Sequence, residues 1–300
     1  MDFHENQKQH RIPRTYLKRW SFIKDGVPCV TVFDRLANQV RDISVSDFTV
    51  TVNEFDLPSD DPVERRHYET TASLVEGMFD MVIDTLDNQK RLTEKHEDIL
   101  RHFVSLTHCR AEIVREEYAF LLEDPDVRTK FIREITLLKR DHEPEEILLA
   151  LTGVPPDKKL QLVTGIMTNH FVSVLRSFSA VILESQGDAK WLTTDLPVVI
   201  DKQGNYDWLI GWDTEVYFPL SPKYCVFLFH PKSERNANPL RDAKPNRIHK
   251  TNDELVSEIN HRLLADAFKH LVLPQEYKES FNDELLRLRR STGIHQHDER

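Results

Sequence analysis

The spacing of apolar residues changes twice along this chain of 300 residues, from strand-like to helical and back again. Near the start, PCVTVFDR and NQVRDISV read as two short β-branched strands separated by a turn at Leu36–Asn38, and DFTVTVNEFDL adds an extended piece. From Pro62 to about Gly187 the apolar positions recur at helical intervals. Leu74, Met78, Val82 and Leu86, flanked by Val75, Phe79 and Ile83, form one stripe over Glu64–Asp87. Ile99, Phe103, Leu106, Ile113 and Leu121 mark a second helix over Thr93–Leu122. Val127–Arg140 and the short Pro144–Leu151 follow, and the spacing predicts a long apolar helix over Lys158–Glu184. Strand patterns then return in AKWLTT, LPVVI, TEVYFPL and KYCVFLFH, split by turns at Lys202–Asn205 and Ser221–Lys223. Asn252–Leu271 and Ser280–Ser291 close the chain as helices.

Strands at both ends of a helical middle predict an α+β fold, with a helical bundle (62–187) packed beside a sheet formed by N-terminal and C-terminal strands. There is no repeat, no low-complexity tract and no long linker, so one domain is expected over 1–300. Its parts are N-terminal strands (8–58), the bundle, C-terminal strands and a helix (188–272), and a last helix with a fraying tail (273–300). With 8 glycines, the chain is poorly suited to an all-β fold full of tight turns or to a glycine-built phosphate loop.

The formal charge of −10 repels polyanions, so nucleic-acid contact would need a local basic surface. Residues 8–19 offer one, with Lys8, Arg11, Arg14, Lys18 and Arg19 and no acid. A protein partner is the other expectation. No run approaches the roughly 20 apolar residues of a membrane span, so no membrane partner is expected. The first thirty residues lack the apolar core of a secretory leader. The three cysteines, Cys29, Cys109 and Cys225, are odd in number, far apart and without metal-ligand spacing, which points to a reducing, cytoplasmic setting. The chain contains no P-loop, G-x-G-x-x-G, H-E-x-x-H, G-x-S-x-G or zinc spacing, and the motifs identify neither a metal nor a cofactor.

Several residues have the chemistry for a site. His10 stands among Arg11, Arg14 and Lys18, a setting that lowers the imidazole pKa and favours a neutral base, with cations at hand for developing charge. Tyr16 and Trp20 either stack bases or pack, and the plainer alternative is that this segment only pins the N-terminus. Asp195, in WLTTDLPVVI, is either a turn acceptor for backbone N–H groups or a base or metal ligand. Arg110 lies four residues after Leu106 and seven after Phe103, along an apolar stripe, and so needs a carboxylate partner. Glu76, with Phe79 and Ile83 at helical spacing, is the expected partner in a structural ion pair; an anion clamp by Arg110 is the sharper alternative. His170 reads as a core histidine, and His295 with His297 as an adventitious pair.

Four patterns give the chain a family likeness. His10-x-x-Pro13-x-x-Tyr16-Leu17-x-x-Trp20 resembles an H-x-x-P-x-x-Y-L-x-x-F opening, with Trp in place of Phe. Thr193-Thr194-Asp195-Leu196-Pro197-Val198 resembles T-S-D-x-P-V, with Thr for Ser. Pro219-Leu220-Ser221-Pro222 matches P-L-S-P, and Asn260 in INHRLLADAFKHLV resembles an asparagine near the final helix. Together, over residues 8 to 272, these resemble a bacterial and phage family known as domain of unknown function 4238. The resemblance points to Glu76 and Arg110 as the family's helix-borne glutamate and arginine. It implies no particular reaction, but the family's frequent place near mobile elements implies a role in conflict between phage and host.

Two functions are open on these grounds, and the sequence leaves undecided whether the chain is an enzyme. One is a hydrolase, a nuclease acting on phosphodiesters, with His10 and Asp195 catalytic, Arg14, Arg110 and Tyr16 holding substrate, and Glu76 and Asn260 in support. It expects His10 and Asp195 to face one pocket across a shared sheet. The other is a non-catalytic binding or sensor component of a defence or counter-defence system, in which the same residues hold the fold.

Overall fold

A computed structural model describes residues 7–57, 59–88, 91–138, 148, 152–153, 156–201, 213–233, 240, 243, 245 and 247–275. The first sheet is built from the two ends of the chain. Strand β1 (Lys8–His10) leads into a short helix α1 (Arg14–Leu17) and a 3₁₀ turn (Lys18–Trp20); Pro13 sits at the N-cap, where its fixed φ costs nothing. Strands β2 (Phe22–Lys24) and β3 (Val27–Asp34) form a hairpin closed by Asp25 and Gly26, both left-handed at φ 52° and 79°. β4 (Gln39–Ser44) returns along β3, and β5 (Val50–Val52) pairs with β1 as a separate two-stranded sheet. The other edge of β3 is taken by β12 (His270–Leu273), with Phe33 opposite Leu271, and β12 in turn pairs with β7 (Thr193–Thr194).

Helices fill the middle. α2 (Pro62–Arg65) is capped by Asp61, which accepts the Val63 N–H at 2.8 Å. α3 (His67–Asp87) and α4 (Glu94–Arg110) pack side by side, α4 starting from a capping box between Thr93 and His96. α5 (Glu112–Leu121), α6 (Pro125–Leu138) and α7 (Pro156–Leu175) complete this layer. α4 is buried around most of its girth, between α3 on one side and α7 on the other, and Phe79 of α3 stacks on Phe103 of α4 at 4.1 Å.

The second sheet separates these helices from the last one described. Its order is β11-β6-β10-β9-β8, formed by β6 (Ser179–Ser185), β8 (Val199–Asp201), β9 (Glu215–Pro219), β10 (Tyr224–Phe229) and β11 (Ile248–Thr251), with only the β11–β6 pair parallel. Alternation along the strands assigns its two faces. Ala180, Ile182, Val216, Phe218, Val226 and Leu228 join the helical core, while Val181, Leu183, Tyr217, Cys225, Phe227 and Phe229 pack with Val256, Ile259 and Leu263 of α8 (Asp253–Asp266).

The α+β class and the sheet joining both chain ends agree with the sequence pattern, and three expected helix boundaries are corrected. The helix expected over Lys158–Glu184 stops at Leu175, because 179–185 is a strand covered on both faces and therefore apolar without alternation. The helix expected over Thr93–Leu122 breaks at Ala111, whose backbone is extended at φ −61°, ψ 133°; tertiary packing overrides the helical preference of alanine there. The helix expected over Asn252–Leu271 ends at Asp266, and His270–Leu273 fills the slot between β3 and β7. The helices expected at 144–151 and 280–291 and the turn at 202–205 lie outside the described residues, apart from position 148.

His170 of α7 is buried, its ring edge-on to Phe131 at 5.8 Å. Burial lowers its pKa from 6.5 to about 4. As pH falls below 6.5 the unfolded chain takes up a proton that the folded chain refuses, so stability is lost on the way down to about 4. This one group should remove about 2 kcal/mol of stability between pH 7 and pH 5. Urea unfolding of wild type and His170→Gln at both pH values should show that component only in the wild type; parallel losses would contradict it.

Candidate functional site

The chemistry-bearing residues gather around two features, a buried arginine and a buried segment with few sheet partners. Arg110 ends α4 and is 1% exposed. Its Nη1 donates to Glu76 Oε1 at 2.8 Å and to the His10 carbonyl at 3.2 Å, and its Nη2 donates to Glu69. The guanidinium plane lies over Phe55 at 4.8 Å and Tyr68 at 5.5 Å. Burial pushes the Glu69 and Glu76 carboxyls above their usual range, against the pull of Arg110. The expected Glu76–Arg110 pair is present. Glu69, seven residues earlier and so on the same side of α3, is the second partner, which sequence reasoning missed.

His10 and Arg14 stand at the edge of this cluster. His10 Nε2 lies 3.2 Å from the Ser46 carbonyl. Its pKa is lowered, first by burial and then by Arg14 and Arg110, against raising effects of the Ser46 hydrogen bond and Asp47. Of the basic residues in 8–19, Arg11 pairs with Glu54 and Glu112 and Arg19 with Asp80, whereas Lys8, Arg14 and Lys18 are exposed.

The second feature is the segment 190–196, of which only Thr193 and Thr194 enter a ladder. Side chains and turns elsewhere in the fold take up several of its other polar groups. Trp20 Nε1 donates to the Trp191 carbonyl at 3.3 Å, and the Trp191 N–H donates to the Pro222 carbonyl at 3.0 Å. Asn260, on α8, donates from Nδ2 to the Lys190 carbonyl at 2.7 Å and accepts the Leu192 N–H on Oδ1 at 3.0 Å. Buried Tyr16 meets the Thr193 hydroxyl at 2.6 Å while its ring stacks on Phe218 at 5.0 Å; burial raises the phenol pKa well above 10. Thr194 Oγ1 accepts the Leu196 N–H at 3.0 Å.

Asp195 works outward from the same segment. Its Oδ1 accepts the Phe268 N–H at 3.0 Å, and its Oδ2 accepts the N–H groups of Lys269 at 2.6 Å and His270 at 3.0 Å. The carboxylate thus holds the chain as it turns from α8 into β12. His270 lies between two acids, with Nδ1 3.5 Å from Asp195 Oδ2 and Nε2 3.8 Å from Asp34 Oδ2.

A cleft of about 120 Å³ opens beside Asp195, lined by Arg11, Ile12, Thr49, Val50, residues 111–113 and residues 268–270. The opening segment and the late acidic turn do meet here, but Arg11, and not His10, lines the cleft. The two segments also belong to different sheets, because β1 pairs with β5 while β7 pairs with β12; side-chain hydrogen bonds from Tyr16 to Thr193 and from Trp20 to the Trp191 carbonyl link them. Two cations converge in the cleft: Arg11 Nη1 and Lys269 Nζ both reach Glu112 Oε2, at 2.5 Å and 3.0 Å. Burial works against the charge on Glu112, yet Lys269 and Arg11 hold its carboxyl below the usual range. Nothing in the sequence pattern marks Glu112, Lys269 or His270, which come from distant segments. Among the described residues, no group of three His, Cys, Asp or Glu side chains is placed to hold a metal ion, and no helix is long and apolar enough to cross a membrane.

These features define an α+β protein in which three of the sequence motifs converge on a buried segment that overlaps the fourth. The chain belongs to the family described as "Protein of unknown function (DUF4238)", whose family model matches residues 8–274. No curated protein and no solved structure matches it.

Replacing Arg110 by Ala removes a buried cation and strands two half-buried carboxylates. A loss of about 3–5 kcal/mol is expected, the usual cost of breaking a buried ion pair by removing one partner. Denaturant unfolding checks this; a loss below about 1 kcal/mol, the worth of an exposed pair, would contradict it.

Proposed function

We propose that this chain is a non-catalytic binding protein whose motif residues hold the fold in shape for a partner. One observation carries the reading: both carboxylate oxygens of Asp195 are taken by backbone N–H groups of residues 268–270. A carboxylate so engaged is a tether and is poorly placed to take a proton from a substrate. Asn260 and Tyr16 are likewise spent on the segment 190–196. The net charge of −10 favours a partner with a basic surface, and the partner is a protein on this reading. Three free, buried cysteines support a reducing, cytoplasmic location. The setting in phage–host conflict rests on the family's place near mobile elements.

A second reading, a phosphodiester hydrolase, is favoured by His10. It is half-buried, biased toward the neutral form, and close to Arg14 and Arg110. Exposed Lys8, Arg14 and Lys18 give that reading a route for a nucleic-acid strand.

Expression in bacteria with an RNA-integrity readout separates the two, combined with melting of purified His10→Ala and Asp195→Ala. The binding reading expects intact RNA with the wild type. It also expects Asp195→Ala to lose about 2–4 kcal/mol with its charge-assisted hydrogen bonds, a drop of several degrees in Tm. RNA breakdown by the wild type that His10→Ala abolishes while melting with the wild type would overturn it in favour of the hydrolase.

A further inference from the structure

We propose that the cleft beside Asp195 is a binding site for a small aliphatic carboxylate, and that Glu112 occupies its anion position in the free protein. This goes beyond the reading above and needs neither a protein partner nor a catalytic His10.

The site is assembled from segments that have no other reason to present cations to one another. Arg11 follows β1, Lys269 precedes β12, and both point at a single oxygen of Glu112. Neither cation depends on Glu112 for its position. Arg11 Nε is anchored on Glu54 Oε2 at 2.9 Å, and Glu54 is held from its other oxygen by Arg115. Lys269 is fixed through its backbone by Asp195 at 2.6 Å, and its ammonium lies 4.5 Å above the Phe268 ring. Glu112, by contrast, is the first residue of α5, and a quarter of its side chain is exposed. It can rotate into water without dragging the cations along.

Exchange of Glu112 for an incoming carboxylate leaves the charge balance of the cleft unchanged. That matters because Asp195 also lines it, with His270 against Asp195 and Asp34. The oxygens of Asp195 are turned to the backbone N–H groups of 268–270, so Arg11 and Lys269 face the opening with Glu112 as their shared anion. Most of the remaining wall is apolar, from Ile12, Val50 and Ile113, with Thr49 beside them. A void of roughly 150 Å³ accommodates a benzene-sized molecule. At about 120 Å³ the cleft suits a carboxylate with a short branched tail. The same group can come as a free acid or as the C-terminal end of a peptide, and the two sources share this chemistry.

The test titrates the full chain with isobutyrate, with N-acetyl-glycyl-valine and with isobutylamine as the cationic control, following backbone amide shifts of 11–12 and 269–270. Glu112→Gln removes the internal competitor and should bind isobutyrate at least about ten-fold tighter than wild type. Adding Lys269→Ala to that variant should reverse the gain, and isobutylamine should bind none of the three. Tighter binding of the peptide than of isobutyrate assigns the site to a chain end, and the opposite order assigns it to a free acid; either supports the carboxylate site. Equal affinity of wild type and Glu112→Gln, no saturable shift in Glu112→Gln, or binding that survives loss of Lys269 would each overturn it. Thermal melting of each variant, with Glu112→Ala as a second route to removing the competitor, separates loss of the site from loss of the fold.

Discussion

A buried backbone with little ladder to join must find its hydrogen bonds elsewhere, and residues 190–196 pose that problem for the whole molecule. Positions 191–194 are buried, yet only Thr193 and Thr194 pair with β12. Each unmet N–H or carbonyl would cost about 1–3 kcal/mol. Trp20 answers from the 3₁₀ turn after α1, Pro222 from the turn between β9 and β10, and Asn260 from α8, while Tyr16 meets the Thr193 side chain. Asp195 then fastens the entry to β12. The four motifs are therefore one device: three supply hydrogen bonds to a strip of chain that overlaps the fourth, and through it the two large sheets and the helices are joined.

Electrostatics supplies the second joint. Arg110 ends a helix that is buried on nearly every side, and its charge is balanced there by two carboxylates of α3 and two aromatic faces. A further donor bond to the His10 carbonyl ties the end of β1 to the same point. His10 and the arginine cluster thus share a location for mechanical reasons, whatever chemistry the imidazole performs.

The α+β class was legible because period-two and period-3.6 patterns occupy different parts of the chain, and capping residues such as Asp61, Thr93 and Asn252 stand where helices start. The Arg110–Glu76 pair was legible because an arginine on an apolar stripe demands a carboxylate. Less could be read where burial on both faces erases alternation, as in Ser179–Ser185, or where only a distant partner makes a strand, as in His270–Leu273. The cleft was hidden for a similar reason. Arg11, Glu112 and Lys269 belong to three segments whose meeting depends on the Asp195 tether and on the break at Ala111, and alanine gives no local signal for a break.

The order of the first sheet has a consequence for biosynthesis. β3 is made together with its hairpin partner β2 and with β4, but the strand that covers its remaining edge is β12, the last described element of the chain. Until β12 is made, that edge is an unpaired row of N–H and C=O groups, open to wrong neighbours. The β2–β4 unit therefore reaches its final form only after β12 has been made, and a chain cut before about residue 273 lacks the strand that joins the two parts of this sheet.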